Sequence, residues 1–393
     1  MIVVHIGLPK CGSATIQTFL NENDEALRAL AVDYPRVGRV MRRARQSFAK
    51  AHHNFANELK GRAEKFNPVA GRVTDLPEHI RNSSFGTTVL SSEAFATCNA
   101  EAIERLGPVL KSAGQPVRIV MVIRSLVAQA PSNYAQRIRH GYNTHDFDTF
   151  FDQWRQDDRF NPFEIASRWA GVFGWDAMRV RVLDPSRLLN GDLIDDFLDG
   201  LDLDPDAAAL RALPRQPRVN ESAGWMTLEA IRAMFAGRSG MDRDHPLARL
   251  IENGLPDHKM KRLGVAAEQT GEALGWSRDR GRYLTRVQAE QLNVAYIDCT
   301  RRLSDHLPLR LQPPQDLDAL GFVEREFLPD ATYIPAKALG DFYQTLADRV
   351  AESADMISND PESTAHAQKQ ADKKAQRTAK RKAERQASGL ARA

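Results

Sequence analysis

Met1-Ile-Val-Val-His-Ile-Gly-Leu-Pro-Lys-Cys-Gly-Ser-Ala-Thr-Ile-Gln-Thr-Phe-Leu20 opens the chain. Ile2, Val3, Val4 and Ile6 form a short β-branched run, the pattern of a strand buried on both faces in a parallel sheet. Gly7, Pro9 and Gly12 punctuate a tight loop. Ser13 and Thr15 then open an amphipathic helix that runs through Phe19 and Leu20. Strand, Gly-containing loop, one Lys and a helix with hydroxyls at its mouth together make an anion site. Backbone N–H groups and the positive helix end cradle a phosphate, and the Lys adds a point charge. A strand–helix turn that binds nothing is the alternative reading.

Three more runs carry strand character. Thr87-Thr-Val-Leu-Ser-Ser-Glu-Ala-Phe95 reads as a buried strand that ends in Ser91, Ser92 and Glu93. Val117-Arg-Ile-Val-Met-Val-Ile123 is almost uninterrupted β-branched sequence and ends at Arg124. Met178-Arg-Val-Arg-Val-Leu-Asp184 alternates, and Asp184-Pro185 stops it. Helical patterns separate them at 101–113 and 163–173, and another follows at 193–201. The expected class is α/β, a parallel sheet flanked by helices. In such sheets ligands sit beyond the carboxyl ends of the strands. Glu93 there is a candidate general base, or merely the cap of the helix that follows. Arg124, with Ser132 two helical turns on, can reach one phosphate.

The order of the first loop excludes a Walker A motif, since Lys10 precedes Gly12. Pro-Lys-x-Gly-Ser-x-Thr after the first strand instead resembles the 5′-phosphosulfate loop of sulfotransferases that use 3′-phosphoadenosine 5′-phosphosulfate (PAPS). Arg124-Ser-Leu-Val-Ala-Gln-Ala-Pro-Ser-Asn-Tyr134 resembles their 3′-phosphate element, and Ser-Ser-Glu-x-Phe resembles the segment after their second strand. The likeness covers residues 1–20 and 87–141, and more weakly 160–225. It implies a P-loop NTPase-like sulfotransferase fold and a sulfuryl transfer to a hydroxyl acceptor without a metal. Lys10 would face the bridging oxygen, with Gly12, Ser13, Ala14 and Thr15 holding the 5′-phosphate through backbone N–H groups. Arg124 and Ser132 would hold the 3′-phosphate. Arg218, Asn220 and Ser222, in the polar loop 215–222, would close over the nucleotide. Glu93 would take the acceptor's proton, with His53 or His52 in reserve. The loop departs from the family where Ala14 replaces Thr and Cys11 replaces Ser or Thr. Ala14 keeps its N–H but loses a hydroxyl, about 1 kcal/mol of hydrogen bonding.

Two rivals stand beside this reading. A nucleotide-dependent kinase would want a Lys after the second loop Gly and an Asp at a strand end for Mg²⁺, for which Asp184 is the one candidate. A catalytically weak nucleotide-binding protein is the other. Residues 36–66 are basic and read as a helix bearing His52 and His53; adjacent histidines diverge on a helix and make a poor metal pair.

The 393 residues suffice for a large core, and 42% are hydrophobic. Residues 1–353 are expected to form the transferase domain, with a nucleotide core over 1–222 and a mainly helical extension over 223–353. Residues 354–393 are a tail with almost no large apolar side chain. Its last 28 residues carry nine Lys/Arg against two Asp/Glu, leaving the rest of the chain mildly acidic within a net charge of +3. A basic tail can touch an anionic membrane or polymer, or simply keep the protein soluble; interleaved aromatics that would favour nucleic acid are absent. No apolar run reaches membrane-spanning length and no signal-peptide pattern opens the chain, so a cytoplasmic location, peripheral to a membrane at most, is expected. Cys11, Cys98 and Cys299 are too scattered for a disulfide framework or zinc site. A saccharide or lipid-linked glycan is the expected acceptor.

Overall fold

The computed structural model describes residues 1–42, 47–215, 223–277, 283–308, 317 and 329–353. These gather into two compact units. One draws on 1–133, 151–221 and 284–325, the other on 134–150, 222–283 and 326 onward.

The first unit is built on a five-stranded, all-parallel sheet. Its strands are β1 (Ile2–His5), β2 (Val32–Asp33), β3 (Thr87–Ser91), β4 (Val117–Ile123) and β5 (Met178–Val182), in the spatial order β2-β3-β1-β4-β5. The hydrophobic run Ile2–Val4 is fully buried because β1 lies in the middle, paired with β3 on one side and β4 on the other. Registers Val4↔Leu90 and His5↔Ser91 bring the carboxyl ends of β1 and β3 level, while β4 continues three residues past its pairing with His5. The chain passes from β3 across β1 to β4, so the ends of these three strands meet at a topological switch point.

Helices flank the sheet. In chain order the helices to residue 211 are α1 (Ser13–Glu22), α2 (Asp24–Ala29), α3 (His53–Leu59), α4 (Leu76–Arg81), α5 (Ala100–Lys111), α6 (Leu126–Arg139), α7 (Phe147–Trp154), α8 (Pro162–Phe173), α9 (Leu193–Gly200) and the single turn α10 (Ala208–Arg211), with α6 and α7 each divided between the two units. Pairs α1–α9 and α5–α8 pack against each other, α8 against β4 and β5, and α9 against β5. The α1–α9 approach is close: a Cβ at Gly12 would strike Leu193.

Val32–Asp33, outside the four runs of strand character, is the edge strand β2, paired with Thr87–Thr88. One expectation fails here. Residues 36–66 are not one helix. Among the described residues of this segment only His53–Leu59 is helical, and a short ribbon pairs Met41 with Phe48. The cause is Arg39. It is buried, donates to the carbonyls of Pro35 and Tyr34 and to Asn21 Oδ1, and lies 4.5 Å from the centre of the Tyr34 ring. A guanidinium so held needs the chain folded around it, which a straight solvated helix cannot provide.

The second unit contains α11 (Trp225–Phe235), α12 (Pro246–Glu252), α13 (Asp257–Ala273) and α15 (Ala336–Ala351); α14 (Arg286–Ser304) belongs to the first and packs on α8. At its centre Glu229, fully buried, accepts from Arg232 Nε at 2.6 Å, and Arg232 also reaches Asp330 at 2.7 Å. Burial pushes the Glu229 carboxyl up, against the pull of Arg232. Removing Arg232 would strand a buried carboxylate. No helix among the described residues is long and apolar enough to cross a membrane. The tail 354–393 lies outside the described residues.

Candidate functional site

The site lies at the carboxyl edge of β3, β1 and β4. From β1 the chain turns through three left-handed residues, Gly7 (φ 53°), Lys10 (φ 67°) and Gly12 (φ 83°). Glycine tolerates this conformation; lysine does not, at about 1–2 kcal/mol. Strain of that kind sets the Lys10 backbone apart from the glycines on either side of it. Gly7 is also sterically required, since a Cβ there would meet Ser13 Oγ and stand 3.2 Å from Glu93 Cα.

Gly12 is the N-cap of α1 and, as glycine, supplies no side-chain cap to the helix. The first N–H groups of a helix have no intrahelical partner, which leaves those of Ser13 and Ala14 facing the loop. The Thr15 N–H is directed to the Gly12 carbonyl at 3.0 Å instead. Ser13 Oγ is buried and has no hydrogen-bond partner among the described residues. A positive helix end with an unpartnered hydroxyl beside it suits an anion. The Ala14 side chain is exposed. Cys11 is turned inward, with Sγ 3.7 Å from both the Pro9 carbonyl and Gln129 Nε2. Burial pushes its thiol up to about 12, despite Arg124 nearby. Burial likewise raises Cys98, and raises Cys299 to about 11. At pH 8 a thiol-specific colorimetric reagent is therefore expected to label none of the three within minutes in the folded protein, and all three after denaturation.

Glu93 follows β3 on a 3₁₀ turn, Glu93–Thr97, whose N-cap is Ser92. Its carboxylate accepts from Gln17 Nε2 at 2.8 Å and lies 3.6 Å from His53 Nε2. The other His53 nitrogen, Nδ1, bonds Ser92 Oγ at 2.7 Å. Burial works to raise the Glu93 carboxyl, but His53 and the Gln17 bond outweigh it and hold the group below the usual carboxylate range. Beneath, His5 Nδ1 bonds Ser91 Oγ at 2.8 Å, and burial lowers this imidazole to about 4.

The two histidines part company. His52 is buried; its Nδ1 accepts from the Ser91 N–H at 3.2 Å and its Nε2 donates to the Pro35 carbonyl at 3.0 Å. With burial and Arg39 lowering it to about 3, it is a neutral structural group. His53, one residue later, opens α3 and is half exposed beside Glu93.

Arg124 follows β4 and donates to the Lys10 carbonyl at 3.5 Å. Buried Gln129 on α6 donates to the Pro9 carbonyl at 2.9 Å. Ser132 stands three residues further along the same helix and hence on the same face. Loop 7–12, Glu93, His53 and Arg124 are thus gathered at one edge. Arg218, Asn220 and Ser222 lie outside the described residues. Asp184 spends its carboxylate on Ser186, taking the N–H at 2.9 Å and the hydroxyl at 2.8 Å. Sequence reasoning missed Gln17 and Gln129. A helical wheel would have put both on the buried sides of their helices, Gln17 with Ile16 and Leu20 and Gln129 with Leu126 and Ala130. Among the described residues no three His, Cys, Asp or Glu side chains are grouped to hold a metal ion.

No protein-family model matches this chain, nor does any curated protein or solved structure.

Proposed function

We propose that this chain is a PAPS-dependent sulfotransferase acting on a hydroxyl acceptor, a saccharide or lipid-linked glycan. The observation that carries the reading is the meeting, at the switch point of a parallel sheet, of a helix N-terminus whose N-cap is glycine, with its strained Lys10, and a hydrogen-bonded carboxylate, Glu93, packed on Gly7. The helix end suits a 5′-phosphate, and Arg124 beside the loop backbone suits the second phosphate of the same nucleotide.

In this reading the acceptor oxygen attacks sulfur in line as the sulfur–oxygen bond to the 5′-phosphate breaks. The acceptor's proton passes to the Glu93 carboxylate, with His53 next to it. Negative charge grows on the departing phosphate oxygen, and Lys10 with the Ser13 and Ala14 N–H groups neutralises it. No metal takes part.

The test is calorimetric titration of 3′-phosphoadenosine 5′-phosphate. Micromolar binding is expected for the wild type, weakened at least about tenfold in Arg124→Ala, since a charged hydrogen bond contributes about 1.5–3 kcal/mol. ATP with Mg²⁺ is expected to bind much more weakly. A wild type that takes up no 3′-phosphoadenosine 5′-phosphate sinks the proposal.

A further inference from the structure

The turn that carries Glu93 is a single 3₁₀ stretch of five residues, held internally by Phe95 N–H to Ser92 O at 3.1 Å, Cys98 N–H to Phe95 O at 3.0 Å, Ala94 N–H to Ser92 Oγ at 3.2 Å and the Thr97 hydroxyl to Ala94 O at 3.1 Å. Such stretches have poor hydrogen-bond geometry. Two further holds come from outside. Helix α3 lies along it and grips it at two points. At the start of α3, His53 Nδ1 bonds Ser92 Oγ. Just past its end, Lys60 Nζ donates to the Ala94 carbonyl and to Thr97 Oγ1. The end of α3 is itself pinned, because Arg105 on α5 donates to the Leu59 carbonyl at 2.5 Å.

We propose that Lys60 is the positioning residue for Glu93, its ammonium bridging Ala94 and Thr97 so that the carboxylate is presented to Gln17 and His53. This inference rests on the sulfotransferase reading for its catalytic consequence, though not for its geometry. Both acceptors of Lys60 are neutral, which is unusual for a half-buried ammonium. Burial lowers it to about 8; Cys98 and Glu93 oppose the fall, and Arg62 and Arg159 add to it. The side chain remains charged at neutral pH while held away from water. A surface lysine needs no such placement, and a purely apolar contact would fill the space without it.

The test compares Lys60→Met, which keeps length and loses the donors, with Lys60→Arg, which keeps charge and donors. The first readout is amide hydrogen exchange at Phe95 and Cys98, which needs no substrate. Exchange is expected to be about tenfold faster or more in Lys60→Met, unchanged for the amides of β3, and restored in Lys60→Arg. The second is turnover of PAPS with water as acceptor, alongside the affinity for 3′-phosphoadenosine 5′-phosphate. In Lys60→Met kcat is expected to fall about tenfold or more with affinity unchanged within about twofold, because only the carboxylate is displaced. Unaltered exchange at Phe95 and Cys98, or a kcat within about twofold of wild type, overturns the proposal. A wild type that neither binds nor turns over the nucleotide removes the sulfotransferase reading, and the exchange comparison then decides the role of Lys60 alone.

Discussion

Replacing Lys10 is expected to lower sulfuryl transfer by about 10²–10³, the range for loss of one preorganised group facing developing charge. Two variants separate charge from backbone. Lys10→Ala removes the ammonium and keeps a Cβ at φ 67°. Lys10→Gly removes both, and relieves a left-handed strain of about 1–2 kcal/mol, less the extra chain entropy of glycine, about 0.5–1 kcal/mol. Both variants therefore lose activity alike, while Lys10→Gly melts at the higher temperature. Steady-state turnover with calorimetric melting checks both. Equal melting temperatures would mean that the loop is unstrained in solution, and undiminished turnover would remove Lys10 from the chemistry.

Glu93→Gln carries the second large effect. General-base catalysis contributes about 10²–10⁴, and that loss is expected in kcat with nucleotide affinity unchanged, since Gln keeps the side chain's shape and a carbonyl for Gln17. The pH dependence follows from the direction of the shift. Burial would raise the carboxyl, but His53 and Gln17 hold it below its ordinary value of 4.5. A depressed folded-state value means that ionised Glu93 stabilises the fold fully above about 4.5, and that this contribution is lost as pH falls through the folded-state value. Activity is expected to fall over the same acid window, and the acid limb to vanish in Glu93→Gln. Turnover profiles from pH 3 to 8 check it; an acid limb that survives the substitution assigns the proton transfer elsewhere.

Cys11 and Ala14, which set this loop apart from the family it resembles, have simple accounts. The Cys11 thiol is buried and faces Pro9 and Gln129, so on the proposed reading the hydroxyl it replaces takes nothing from phosphate binding. Ala14 points outward and contributes through its backbone alone.

Strands β1, β3, β4 and β5, the loop between β1 and α1, and the helices at 100–111, 162–173 and 193–200 were legible in the sequence, since each rests on a local pattern: a β-branched run, a glycine, a cap or a 3.6-residue period. The placing of Lys10, Glu93 and Arg124 at strand ends followed from the same patterns. Beyond that range the tertiary structure decided. Val32–Asp33 is too short to show a period and becomes a strand only by pairing with Thr87–Thr88. Arg39 reads as one surface charge among several, until Tyr34, Pro35 and Asn21 enclose it and bend the chain away from a helix. His52 and His53 are indistinguishable in sequence, yet one is sealed against Pro35 and the other faces Glu93. Gln17, 76 residues from Glu93, and Lys60, 34 from Ala94, acquire their roles only across the fold. Periodicity records which face of an element is buried; it does not record which distant polar atom will complete a buried hydrogen bond, and that choice fixes the arrangement of side chains at this edge of the sheet.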